Sequence, residues 1–163
     1  MGSGKSVVGR LVAGQLDFDF VDTDDLVEAA AGRSISQLFR EEGELAFRQR
    51  ERAVVLALAG RQRTVIATGG GLVTYLDNLA LLKQHALVVC LWASAATIYE
   101  RVRHHHHRPL LQTPDPLGRI RDLLAAREPF YRQADVIIQT ECRNPREVAA
   151  QVVHQFHTAV SQQ

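Results

Sequence analysis

Met1-Gly-Ser-Gly-Lys-Ser6 opens the chain, and the reading of these six residues decides the fold. They match the end of the phosphate-loop pattern G-x-x-x-x-G-K-[ST], with Gly4-Lys5-Ser6 as its last three positions. Glycine lets consecutive backbone N–H groups turn inward around phosphate oxygens. A helix starting here aims its positive end at the anion. Lys5 is placed to reach the β- and γ-phosphates, and the Ser6 hydroxyl to serve Mg²⁺. The first glycine of the full pattern would fall two residues ahead of Met1, and no strand precedes the loop. Alone, the six residues also fit a Gly-Ser-Gly turn before a helix.

Working outward, helical and strand-like patterns alternate. Helices are expected over Ser6 to Leu16, Asp25 to Ala31 (closed by Gly32), Ser34 to Arg40, Glu44 to Leu58, Leu76 to Gln84, Ser94 to Arg103, Pro116 to Arg132 and Pro145 to Val160. Strands are expected at Phe18 to Val21, Thr64 to Ala67, Ala86 to Trp92 and Val136 to Ile138. Short apolar strands between helices predict an α/β fold: three layers, a parallel sheet with helices on both faces. His104 to Pro116 holds four histidines and three prolines with no regular period. A stretch of that length in a compact domain reads as a lid or binding loop.

The 163 residues fit one domain, 1–163, with the lid at about 104–116. A net charge of +1 disfavours nucleic acid and anionic membrane as partners. Two cysteines, Cys90 and Cys142, make no disulfide framework and point to a reducing compartment. No apolar run approaches membrane-spanning length, and no secretory signal opens the chain. The expectation is a cytoplasmic domain.

Several further stretches suit a site. Asp22 and Asp24 end a strand, the edge where open α/β sheets bind ligands, and spacing two puts them on one face of a strand. Asp24 and Asp25 also precede a helix and fit an N-cap. Gly69-Gly-Gly71 follows a strand and could bring backbone N–H groups against a ligand. Glu51 lies three residues after Arg48, close enough to orient it on a helix. From spacing alone, Arg48 and Arg50 are equal candidates. The tract His104 to His107 reads as a solvated part of the lid or, less simply, a metal site.

Taken in order, Gly2-Ser-Gly-Lys-Ser6, Asp22-Thr-Asp24, Phe47-Arg48 with Glu51, Gly69-Gly-Gly71, Arg108-Pro-Leu-Leu111, and Arg127 followed by Tyr131 resemble the shikimate kinase family over nearly all of the chain. The resemblance implies a P-loop kinase fold and transfer of the ATP γ-phosphoryl to the 3-hydroxyl of shikimate, with Mg²⁺, in aromatic amino-acid biosynthesis. It implies Asp24, Lys5 and Arg108 as catalytic residues. Gly2, Ser3, Gly4, Lys5, Ser6, Val7, Arg108 and Arg146 would bind ATP. Asp24, Arg48, Gly70 and Arg127 would bind shikimate, and Ser6 and Asp22 would serve the metal. It also implies a monomer. In the family a strand feeding the phosphate loop lies at the centre of a five-stranded parallel sheet, whereas four strands are expected here. The expectation is therefore that Met1 stands at an internal position of a longer chain. Two other functions fit the phosphate loop: a P-loop kinase for another small hydroxylated acid, such as one resembling gluconate kinase, and a nucleotide-binding protein without transfer activity.

Overall fold

The structure is a computed structural model that describes residues 2–103 and 113–161. In chain order the elements are α1 (Lys5–Leu16), β1 (Asp19–Asp22), α2 (Thr23–Ala31), α3 (Ile35–Glu41), α4 (Gly43–Leu58), β2 (Thr64–Ala67), a 3-10 turn (Leu72–Thr74), α5 (Asn78–Lys83), β3 (Val89–Trp92), α6 (Ala95–Val102), α7 (Pro116–Tyr131), β4 (Val136–Gln139) and α8 (Pro145–Val160). The local chemistry accounts for the boundaries. Ser34 opens α3 and Asn144 opens α8, each with a reciprocal capping box closed by Gln37 and Glu147. Gly32 ends α2 in the left-handed conformation. Leu76 has φ +49°, so the helix expected from Leu76 starts only at Asn78. The strand expected from Ala86 starts at Val89, because its partner β4 offers four residues to pair with.

The strands form two parallel pairs. β1 runs beside β2, in register from Asp19 with Thr64 to Asp22 with Ala67. β3 runs beside β4, from Val89 with Val136 to Trp92 with Gln139. Parallel strands between helices agree with the α/β fold expected, and among the described residues the other edges of β2 and β3 pair with no strand.

Side-chain packing joins the two pairs. Val8 and Val12 of α1, Ile138 of β4, and Val148 and Ala149 of α8 form one buried cluster. Val65 of β2 and Val89 and Leu91 of β3 both pack against it. Full burial of a valine such as Val8, Val12 or Val148 contributes about 1.5–3 kcal/mol. A second cluster, Val27, Leu38 and Phe47, ties α2, α3 and α4 together beside the end of β1. A third, Ile98, Val102 and Ile120, ties α6 to α7. These clusters fix what surrounds the carboxyl ends of the strands, where α1, α2, the glycine turn and α7 converge.

Of the lid expected at about 104–116, residues 104–112, including His104 to His107 and Arg108, lie outside the described residues. Asp115 caps α7, accepting from the Gly118 amide at 2.8 Å.

Candidate active site

Gly2 and Gly4 have φ of +68° and +90°, and α1 begins directly after them. Ser3 is buried, Lys5 half-buried, and Ser6 and Val7 exposed at the start of the helix. Lys5 Nζ donates to Ser3 Oγ at 3.5 Å. Burial pushes the Lys5 ammonium below its ordinary value, against the charges of Asp24 and Asp22, which pull it back up. Arg101, which no sequence signal singled out, holds the loop from behind. It donates to the Thr140 carbonyl at 2.7 Å, to Thr140 Oγ1 at 2.9 Å and to the Gly2 carbonyl at 3.5 Å.

Asp22 ends β1 and is the N-cap of α2. Its Oδ1 accepts from the Asp24 amide at 3.1 Å, and its Oδ2 accepts from the Ser6 hydroxyl at 2.7 Å. Asp24 therefore stands in the first turn of α2, not on a strand face with Asp22, and the capping aspartate is Asp22. Burial raises the Asp24 carboxyl above its ordinary value, Asp22 adds to that, and Lys5 opposes both.

The glycine turn is fixed on three sides. The Gly69 amide donates to the hydroxyl of fully buried Thr23 at 3.0 Å. The Tyr131 hydroxyl donates to the Gly70 carbonyl at 2.7 Å. The Gly71 carbonyl accepts from the Thr74 hydroxyl at 2.8 Å. Thr23 and Tyr131 lie inside motifs that the sequence exposes, but their bonds cross 46 and 61 residues and leave no local pattern.

Arg48 projects from α4 toward this turn. It donates to Glu51 Oε2 at 2.5 Å and to Glu44 Oε1 at 3.0 Å. Burial works against its charge, yet the two carboxylates hold it above its ordinary value. Arg50 instead pairs with Glu42 at 2.8 Å, which separates the two candidates. Glu51 is completely buried and its Oε1 has no hydrogen-bond partner. Burial raises its carboxyl, with Arg48 pulling the other way and Asp24 adding to the rise. Arg127, half-buried on α7, acts electrostatically on both Glu51 and Tyr131.

The structure thus brings Lys5, Ser6, Asp22, Asp24, Arg48, Gly70 and Arg127 to one end of the strands. A cleft there is lined by Ser3, Lys5, Thr68, Gly69, Gly70 and Tyr131. Arg146 stands apart in its contacts: exposed in the first turn of α8, its amide donates to its own N-cap Asn144 at 3.0 Å. A larger cleft, about 820 Å³, opens between β4 and α8 and is lined by none of the predicted residues. Volume does not decide here: of the charges lining that cleft, Asp135 pairs with Lys83 and Arg143 donates to the Gln139 carbonyl and to Gln151.

Ser6 and Asp22 offer hard oxygen donors, the type that Mg²⁺ takes. Among the described residues no cluster of three or more His, Cys, Asp or Glu forms a cage. A hydroxyl and a carboxylate suit an Mg²⁺ that keeps waters and shares substrate phosphates.

Comparison with known proteins follows the same outline. The shikimate kinase family model matches residues 1–157. A shikimate kinase of Symbiobacterium thermophilum is 49% identical over 159 residues, covering 96% of this chain and 91% of the relative. One of Thermodesulfovibrio yellowstonii is 44% identical over 156 residues, covering 96% and 90%. Among solved structures, shikimate kinase from Acinetobacter baumannii in complex with shikimate superposes with a TM-score of 0.92 at 38% identity, covering 98% of this chain and 89% of that one. The shikimate kinase of Aquifex aeolicus gives a TM-score of 0.85 at 33% identity, covering 98% and 94%. With a phosphate loop, an acidic helix start and a clamped arginine converging on one glycine turn, the chain belongs to the shikimate kinase family.

Proposed function

We propose that this chain transfers the γ-phosphoryl of ATP to the 3-hydroxyl of shikimate, as a cytoplasmic monomer. The observation that carries the reading is the placement of Asp24. It is a partly buried carboxyl with a raised proton affinity, between the phosphate loop and the arginine side of the site.

Arg48 and Arg127 hold the substrate carboxylate, for which a guanidinium fork is the matching donor. The Gly70 backbone lies against the ring, held in place through Tyr131. Asp24 accepts the proton of the attacking hydroxyl as its oxygen bonds to the γ-phosphorus, while the bond from that phosphorus to the β,γ-bridging oxygen breaks and ADP leaves. Lys5, with the amides of Gly2 to Val7, holds the phosphates. Arg108 supplies positive charge to the transferred group, and Arg146 flanks the adenine. Mg²⁺, held near Ser6 and Asp22, would neutralise phosphate charge when bound.

The test is ADP release from ATP and Mg²⁺, with and without shikimate, with the product identified by phosphorus NMR. Shikimate-dependent turnover giving the 3-phosphate is expected. A folded chain that binds ATP but releases no ADP on adding shikimate would overturn the reading in favour of another acceptor or a binding role.

A further inference from the structure

Gly69 and Gly71 are glycines for a reason their backbone does not supply. Gly71 has φ −97°, which any residue adopts, and Gly69 also lies outside the left-handed region. Space supplies the reason. A methyl carbon on Gly71 would sit 2.6–2.9 Å from the guanidinium atoms of Arg48. One on Gly69 would sit 2.7 Å from Asp24 Oδ1 and 2.9 Å from Glu51 Oε1. In both cases the first atoms met are charged side-chain tips, not backbone or apolar core. The tips are also restrained: Arg48 is clamped by Glu44 and Glu51, and Glu51 is completely buried.

We propose that Gly69 and Gly71 are positioning residues, Gly71 setting where the Arg48 guanidinium lies and Gly69 setting where the Asp24 carboxylate lies. The inference rests on the reading of Arg48 as the carboxylate donor and Asp24 as the base. It predicts a division of labour within three consecutive residues. A methyl at 71 displaces the carboxylate clamp and acts on substrate binding. A methyl at 69 displaces the base and acts on the chemical step. In both cases the displacement falls on side-chain tips rather than on backbone.

The experiment compares Gly69→Ala, Gly71→Ala and Gly60→Ala by steady-state kinetics. Gly60 is a control, since a methyl there meets nothing within 4 Å. Gly71→Ala is expected to raise KM for shikimate roughly 10-fold, the scale of one lost charged hydrogen bond, with KM for ATP unchanged. Gly69→Ala is expected to lower kcat by about 10²-fold, the scale of a misplaced reacting group. Gly71→Ala made in an Arg48→Ala background should raise KM no further, because the guanidinium it acts through is gone. Should Gly71→Ala fail to fold, the double variant with Arg48→Ala must be no less stable than Arg48→Ala alone, since the guanidinium atoms are the first the methyl meets; a further loss of stability overturns the proposal. A KM for shikimate unchanged by Gly71→Ala, or one raised equally in the Arg48→Ala background, also overturns it. Arginine Nε–H NMR reads the guanidinium without turnover. The Arg48 signal should move in Gly71→Ala and stay in Gly60→Ala, even if the wild-type chain proves inactive on shikimate. An unmoved signal sinks the glycine inference, whereas an inactive wild type sinks only the functional reading.

Discussion

The two glycine turns of the site meet different constraints. Around Gly2 and Gly4 the chain needs left-handed backbone, at φ +68° and +90°; a methyl on Gly4 would find only Val8 nearby, at 3.9 Å, whereas one on Gly2 would also meet the apolar side chains of Val102 at 2.8 Å and Ile98 at 3.0 Å. Around Gly69 and Gly71 the backbone is ordinary and the space is taken by charge. The phosphate side is shaped by torsion, with apolar crowding added at Gly2; the acceptor side is shaped by charged crowding alone. The difference suits their ligands. Phosphate is held largely by backbone N–H groups, which a turn must aim. A small hydroxylated acid needs side-chain charges held close together, which requires room.

Replacing charges tests the crowded side most severely. Asp24→Asn should lower kcat by about 10²–10⁴-fold, the usual contribution of a general base, with ATP affinity retained in a binding titration. In the unsubstituted chain the acid limb of kcat should lie above the ordinary aspartate range, because the proposed base Asp24 must be ionised to accept a proton and its proton affinity is raised. An acid limb at the ordinary position would show that Asp24 is not the titrating base. Arg48→Ala should cost about 3–5 kcal/mol at neutral pH, because it strands a fully buried Glu51. The loss should depend on pH in a defined direction. The folded Glu51 carboxyl is already raised, and without Arg48 it rises further. The variant is thus least destabilised below the ordinary glutamate range and most destabilised once pH exceeds the raised value. Urea unfolding at pH 5 and pH 8 reads this.

The torsional side is tested by Gly4→Ala, which forces an L side chain to φ +90° at a cost of about 1–2 kcal/mol. KM for ATP should rise while KM for shikimate holds, the reverse of the effect expected at Gly71. If Gly4→Ala raised both alike, the two turns would not be separable. The smallest effect is expected from Tyr131→Phe. Losing its bond to the Gly70 carbonyl is worth about 1 kcal/mol, or roughly 5-fold in KM for shikimate, with kcat held.

The order of the elements was legible wherever the signal was local. Thr64–Ala67 and Pro145–Val160 match expectation residue for residue, one through β-branched apolar residues and the other through a capping asparagine with proline behind it. The 3-10 turn at Leu72–Thr74 was hidden behind three glycines, whose torsions composition does not specify. Which strand lies beside which is a matter of long-range pairing, invisible to periodicity. Within the site, Glu51 as partner of Arg48 followed from helical spacing, whereas its burial and its orphaned oxygen did not. The motif glycines stood out at once. That Gly69 and Gly71 face Asp24, Glu51 and Arg48 could not be read, because those partners lie 18 to 45 residues earlier.

Asp22 has a consequence for the order of events. One of its oxygens holds the start of α2, and the other holds the Ser6 hydroxyl at the start of α1. A nucleotide that draws Ser6 away changes the charge balance on the oxygen beside Asp24. A single carboxylate thus touches both halves of the site, and any linkage between two ligands through it would be reciprocal. Whatever factor the nucleotide applies to acceptor affinity, the acceptor must apply to nucleotide affinity.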